Sequence, residues 1–483
     1  MEYYWEVHAS CRRSPGSNVS ESELLIRQLT AAVGAGKVLT DPAVLSATSH
    51  DTWPVSTKWA RQDQHPYRGD VVIRAGSEAD VVAVLEVAEE TGVPVTTRGL
   101  GSSVTGQPLP TRGGIVLDLS GLTGPHEVDE VDMTVTAPAG MNGGALEDAL
   151  NQAGWTMRFS PQSLYRSSVG GWLATLATGQ FSSRYGGVED LVVGYRVVLA
   201  GGEVAELTAS PRAAMGPDLR RVFLGSEGTL GVITRVTLKI VPLPAAQHLQ
   251  TFLVPDVTTG LAIMREQAAR GLRPSLLRLY DADEARHAMA DPDFDGTVLF
   301  VGTEGEPEVA AAEMTVLTTM ATERGATELG PEPVQAWLDR RFDFSTVEKR
   351  LDTPGGFAET IEVAHTWRHI EGLYAAIRKA LEPLADEVLV HFSHVYPQGT
   401  SMYVILLGQV ADDAAASARL AEIWATTMQI GLDHGAELSH HHGGGLARSP
   451  YSRRSLGAAH GVLRRLKHAL DPDGLLNPGK LGL

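Results

Sequence analysis

The feature that most constrains this chain is a set of three glycine- and serine-rich blocks set among strand-like and helix-like text. They are Thr97-Arg-Gly-Leu-Gly-Ser-Ser103, the stretch 161–179 that contains Ser167-Ser-Val-Gly-Gly171, and Gly225-Ser-Glu-Gly-Thr-Leu-Gly231. Glycine supplies 51 of 483 residues, above the usual share of roughly 7%, and the excess is clustered rather than repeated at a fixed period. Without a Cβ the backbone can approach a flat, extended ligand closely, and flanking hydroxyls and N–H groups can converge on a pyrophosphate. A Rossmann fingerprint is excluded. Its third glycine slot holds Val104, and Gln107-Pro-Leu-Pro110 forbids the helix whose N-terminus would face the phosphate.

Hydrophobic periodicity divides the chain around these blocks. Residues 1–67 read as a lead-in segment: a helical pattern of Leu24, Leu25, Leu29 and Val33, then irregular text with His50, Asp51, Trp53 and Pro54. Residues 68–244 alternate strands over 71–73, 94–97, 115–119, 133–137, 191–200, 204–208 and 231–241 with helices. Over 245–439 the glycine density drops, and strands over 276–280, 297–302, 357–363, 388–393 and 401–407 alternate with long helices over 307–324 and 411–434. This is a second domain of α/β character with an antiparallel sheet. Residues 440–483 regain Gly and Arg and form a C-terminal segment. The fold class is α+β.

Forty Lys and Arg against 58 Asp and Glu give a net charge of −18 with no basic block, which excludes a nucleic-acid footprint; a cationic or neutral small-molecule substrate fits better than a polyanion, although a local Arg cluster could still hold one phosphate. The lone Cys11 cannot form an internal disulfide. No stretch approaches the ~20 apolar residues of a transmembrane helix, and the start, Met1-Glu-Tyr-Tyr-Trp-Glu6, lacks the basic and apolar regions of a secretory signal. A cytoplasmic location is expected.

The three blocks, in this order and spacing, resemble the FAD-binding domain of the vanillyl-alcohol oxidase and p-cresol methylhydroxylase (PCMH) superfamily of FAD-linked oxidases. Within it, Ser168-Val-Gly-Gly-Trp-Leu-Ala-Thr175, followed by Tyr185-Gly and Glu189-Asp-Leu-Val192, looks most like the alkylglycerone-phosphate synthases, flavoenzymes that form the ether bond of ether lipids. The resemblance implies a two-subdomain PCMH-type FAD-binding domain over 68–244, a substrate-binding or cap domain with an antiparallel sheet over 245–439, and a C-terminal segment over 440–483 that completes the active site. It implies FAD contacts from Thr97, Arg98, Gly99, Leu100, Gly101, Ser102 and Ser103, from Gln162, Ser163, Ser167, Ser168, Gly170, Gly171, Thr175 and Thr178, and from Glu227, Gly228, Thr229, Gly231, Val232 and Ile233. Relatives that attach flavin covalently often use a His in or beside the glycine loop. That loop contains none and Cys11 is remote, so the FAD is expected to be non-covalent. Family habit implies a homodimer.

The second signal is Ser439-His-His-His-Gly-Gly-Gly445, with Arg448 beyond it. Histidines in succession on an extended segment point to alternate sides, so at most two of His440, His441 and His442 are expected to face one site. The synthases carry a His-His-His-Gly motif at this place, which implies a catalytic role. Tyr403 resembles the synthase tyrosine proposed to exchange protons with substrate. A free phenol, with a pKa of ~10, is a poor base at neutral pH and needs cationic or histidine neighbours, which the triple His could supply. Arg278 alternates with Leu277 and Leu279 on its strand and in the resembling family faces the active site. Arg368 and His369 fall where the synthases carry Trp-x-Arg, but with the Arg one residue early, and are expected to bind substrate. The metal-dependent D-2-hydroxyacid dehydrogenases of the superfamily place a His and a Glu-His pair where this chain has Tyr403 and His441-His442, so no metal is expected despite His391 and His394.

Two reactions follow. In the first, a hydroxyl-bearing small molecule is oxidised by hydride transfer to flavin N5, with Tyr403 and the histidines handling the proton. The alternative is the synthase-type alkyl transfer between an acyl-dihydroxyacetone phosphate and a fatty alcohol. The acidic chain and the altered Trp-Arg-His segment favour the oxidoreductase.

Overall fold

A computed structural model describes residues 19–483, so Cys11 and the first residues lie outside the described part. Strands Val71–Arg74, Ile115–Asp118 and Val95–Arg98 pair in parallel, with Val38–Leu39 antiparallel at the edge. The helix Glu78–Thr91 is the crossover between Val71–Arg74 and Val95–Arg98. Its ends are encoded locally: Ser77 and Asp80 form a capping box, and Gly92 closes it with φ +64°. No helix follows Thr97–Ser103, as the proline-rich Gln107–Pro110 requires.

A second sheet of five antiparallel strands runs in the order Glu127–Asp129, Thr134–Pro138, Val232–Lys239, Val192–Val198, Val204–Leu207. Helix Val169–Thr175, grown from the second glycine block, packs Trp172 and Leu173 into the core of that sheet.

The third sheet has seven strands, all antiparallel: Thr327–Gly330, Ala246–Val254, Thr297–Gly305, Leu276–Tyr280, Glu387–Val395, Gly399–Gln409 and Gly356–Thr366. One face packs on long helices. Leu277 and Leu279 join Ile263, Leu317, Leu373 and Trp424 in the largest apolar cluster, while Leu276 and Tyr280 belong to a separate cluster on the other face. The mixed α+β class is as expected. The segment before Asp70 is more integrated than a lead-in. Leu25 and Leu29 pack into the core of the first sheet, and Trp53, Val55 and Tyr67 into that of the third.

The C-terminal segment returns to the first sheet, where Leu476 bridges Val95 and Asn477 Nδ2 donates to the Gln107 and Glu227 carbonyls. Gly457, with φ +52°, separates helix Ser452–Leu456 from helix Ala459–Leu470. Among the described residues no helix is long and apolar enough to cross a membrane.

Candidate active site

A cavity of about 880 Å³ opens between the glycine blocks and the inner face of the seven-stranded sheet. Of the expected cofactor residues, all but Arg98 and Thr229 line it. Arg98 turns away: its Nη1 donates to the His50 carbonyl at 2.8 Å, and a Cβ on Gly101 would lie 2.1 Å from its Nη2. Thr229 spends its hydroxyl on the Ser226 carbonyl at 2.7 Å. Gly99 is needed for space, because a Cβ there would lie 2.3 Å from Ser168 Oγ. Thr97 Oγ1 is buried on the cavity wall without a hydrogen-bond partner. Glu227 borders the cavity, but its carboxylate accepts from the N–H groups of Gly444 and Gly445 at 2.5 and 3.0 Å, tying the C-terminal segment to the third glycine block.

The opposite wall carries Tyr403, His391, His394, His441, His442 and Arg278. Sheet register sets this grouping: Glu362, Tyr403 and His391 lie directly opposite one another across three adjacent strands, so they share a face. In a regular strand residues 391 and 394 would face opposite ways. A bulge between Ser393 and Val395, with His394 at φ +57°, brings both to the cavity.

The triple histidine is bent rather than extended, and the cause is Glu362. This fully buried carboxylate accepts from the backbone N–H of His440, from that of His442 at 2.8 Å, from Ser439 Oγ at 2.9 Å and from Arg448 Nη2 at 3.3 Å. Burial pushes the Glu362 acid up, but Arg448, His442 and the His440 N–H outweigh it and hold its pKa below the usual carboxylate value. Arg448 also donates to the Leu438 and Gly443 carbonyls, which closes the loop on itself. As a result His441 and His442 reach the cavity while His440 lies behind them.

Tyr403 Oη is hydrogen-bonded to His441 Nε2, and the Tyr403 ring stacks on His391 at 4.5 Å with an interplanar angle of 16°. Burial, then the charge of Glu362, pushes the phenol well above its ordinary pKa. Burial also lowers the pKa of His391, His394, His440, His441 and, to about 4, His442. The histidine neighbours expected for Tyr403 are present, and burial disfavours the charged form of both the imidazoles and the phenol.

Arg278, 8% exposed, donates from Nη2 to His391 Nε2 at 2.8 Å and from Nε to Tyr280 Oη at 2.8 Å. A guanidinium can only donate, so His391 carries its proton on Nδ1 and gives it to Glu284, whose oxygens lie 2.7 and 2.8 Å away. Arg278 is thereby a fixed positive charge on the cavity wall. Glu284, Glu362 and Glu359 were missed from sequence. Each stands in ordinary strand or helix text, Glu284 beside Asp281 and Asp283, and only its burial distinguishes it.

Arg368 and His369 are not brought to the site. The strand Gly356–Thr366 ends beyond the cavity edge, and the two residues lie exposed at the turn into helix Ile370–Leu381, with His369 stacked on His365 at 4.9 Å. His394, His440 and His441 each bring one ring nitrogen within 4.8 Å of the others, a spacing a metal could bridge. Both nitrogens of His440 and His441 are, however, engaged in hydrogen bonds.

Two family models match in succession: an FAD binding domain over residues 69–208 and the C-terminal domain of FAD linked oxidases over 243–481. The uncharacterized FAD-linked oxidoreductase YgcU of Escherichia coli K12 is 31% identical over 481 residues, covering 95% of this chain and 98% of that protein. An alkyldihydroxyacetonephosphate synthase of Trypanosoma brucei brucei is 27% identical over 450 residues, covering 85% of this chain and 73% of that one. The fold matches that of p-cresol methylhydroxylase with a TM-score of 0.79, at 15% identity, over 97% of this chain and 98% of that one. The close approach of Gly99 to Ser168, the unpartnered Thr97 hydroxyl and the surrounding serines suit the phosphates of FAD. The chain is an FAD-dependent enzyme and belongs to the FAD-linked oxidases of the vanillyl-alcohol oxidase and p-cresol methylhydroxylase superfamily.

Proposed function

We propose that this chain oxidises a small hydroxyl-bearing anion. When bound, FAD supplies the hydride acceptor through its isoalloxazine ring. The protein supplies the rest. Arg278, held by His391 and Tyr280, meets the anionic group of the substrate and orients the hydroxyl-bearing carbon. Tyr403 accepts the hydroxyl proton as its own proton moves to His441 Nε2, so the carbonyl forms as the carbon's hydrogen leaves with the bonding electron pair, and no free phenolate accumulates. The observation that carries this reading is the joint presence of the Tyr403–His441 hydrogen bond and the Arg278 charge on one cavity wall, facing the glycine blocks.

A second reading rests on the apolar stretch of the same cavity, where Val347, Leu351, Ala358 and Ile405 form one cluster with room for an alkyl chain. With the synthase relative, it supports alkyl transfer to an acyl-dihydroxyacetone phosphate. Anaerobic visible spectra separate the two. Bleaching of the flavin band by glycolate or D-lactate, reversed by air or a dye acceptor, is expected for the oxidoreductase. If these and uncharged alcohols leave the band intact while the ketone phosphate perturbs it and a fatty alcohol restores it, the oxidation reading is wrong and the transferase stands.

The FAD is held without a covalent bond in this reading, since no histidine lies in the glycine blocks. His50 also lines the cavity, with its Nδ1 3.3 Å from the Asp51 carbonyl oxygen. Acid precipitation should release all of the flavin into the supernatant; yellow colour retained in the pellet would point to attachment, with His50 the first residue to replace.

A further inference from the structure

We propose that Tyr396 is the outer end of a proton relay that runs from Tyr403 in the cavity through His441 and His440 to the protein surface. The proposal rests on the reading that Tyr403 takes the substrate's hydroxyl proton.

Four side chains are joined by three hydrogen bonds. Tyr403 Oη meets His441 Nε2, His441 Nδ1 meets His440 Nδ1 at 2.8 Å, and His440 Nε2 meets Tyr396 Oη at 2.8 Å. Each ring enters through one nitrogen and leaves through the other, so the chain has no break. Its inner half, Tyr403 and His441, lines the cavity; its outer half, His440 and Tyr396, does not, although both are only half-buried. Tyr396 starts the tight turn after the bulge at His394, pinned by its N–H to the Gly399 carbonyl at 2.9 Å.

The hydrogen-bond inventory gives the relay its logic. A neutral imidazole carries one proton, so the contact between two Nδ1 atoms requires one donor and one acceptor. If His441 holds its proton on Nδ1, it accepts from Tyr403, and His440 holds its own proton on Nε2 and donates it to Tyr396. If Tyr396 donates instead, every bond reverses and Tyr403 is left donating into the cavity. Passing from one order to the other moves one proton along the chain and leaves no charge behind. Burial favours this neutral state by lowering both imidazoles and raising both phenols. The ionisable groups facing the chain are Glu362 beneath His440, the rings of His391, His394 and His442, Arg278, Arg448 beside the histidine loop, and Glu189 and Asp190 near Tyr396.

The test uses the FAD-loaded protein and Tyr396→Phe, which keeps the ring and removes the terminal oxygen. In protein labelled with 15N-histidine, His440 and His441 are expected to hold complementary tautomers at pH 8, and both are expected to shift together in Tyr396→Phe. Anaerobic bleaching by glycolate or D-lactate should slow about tenfold or more in this variant at full FAD content, within the range set by proton-transfer groups. His440→Ala should regain rate with added imidazole, which a purely structural role would not produce. A wild-type bleaching rate in Tyr396→Phe, or a His441 tautomer indifferent to that substitution, overturns the relay. If neither acid bleaches the wild-type protein, the oxidation reading fails, and the tautomers still decide the relay.

Discussion

Glu362 lies directly opposite Tyr403 on the neighbouring strand, and the same carboxylate gathers the backbone N–H groups of His440 and His442. One buried acid thus faces Tyr403 across the sheet and holds the loop that brings His441 to it.

Removing that acid should therefore cost more than activity. Glu362→Gln leaves Arg448, itself 3% exposed, without its counter-charge. Breaking a buried pair from one side costs about 3–5 kcal/mol. Thermal unfolding should show a clear loss of stability; a midpoint equal to that of the wild type would show that the loop around the histidines is held by other contacts.

Tyr403→Phe should retain FAD, since Tyr403 sits on the wall away from the glycine blocks, and should lose about 10²–10⁴-fold in the rate of flavin bleaching by substrate. Full bleaching rate in this variant would remove Tyr403 from the chemistry.

Arg278→Gln should chiefly raise KM for a charged hydroxy acid, because the lost interaction is a hydrogen bond to a charged group, worth about 1.5–3 kcal/mol, or roughly 10- to 150-fold in kcat/KM. An uncharged alcohol should show little change, and equal losses on both substrates would argue that Arg278 holds the wall together instead.

Gly99→Ala is expected to lower the flavin content of the purified protein, since the new Cβ would lie 2.3 Å from Ser168 Oγ between two cofactor-facing blocks. The ratio of visible to ultraviolet absorbance, before and after adding FAD, measures it.

Glu359 lines the cavity at 2% exposure, and burial raises its pKa to about 8. A carboxyl with a raised folded pKa contributes stability that is complete below its unfolded value, near 4.5, and is lost as pH rises through about 8. The slope is about 1.4 kcal/mol per pH unit across that window. Glu359→Gln keeps an oxygen to accept from Trp424 Nε1, so between pH 6 and 9 its melting temperature should fall less than that of the wild type. Parallel curves for the two proteins would place the titration elsewhere.

The class of fold was legible because it rests on local patterns: alternating apolar residues for strands, spaced ones for helices, and glycine blocks between them. The face of Arg278 was legible for the same reason, since a period of two leaves it no choice once Leu277 and Leu279 enter the core. Arg98 could not be read this way. It belongs to a cofactor-like block, yet its side chain folds under Gly101 toward His50, a residue of the preceding segment.

The sequence by itself determined where the backbone could approach a cofactor, most of the strands and the face of Arg278, because these depend on residue type and short-range period; strands Ala246–Val254 and Thr327–Gly330 of the third sheet were not legible in it. Tertiary structure decided which faces meet. Pairing in register puts Glu362, Tyr403 and His391 in one row, a single bulge adds His394, and the strand's length leaves Arg368 and His369 outside. The pairing of Glu362 with Tyr403 joins strands tens of positions apart, and its register is fixed by which faces are buried and by the turns between strands, which no single short stretch of sequence shows.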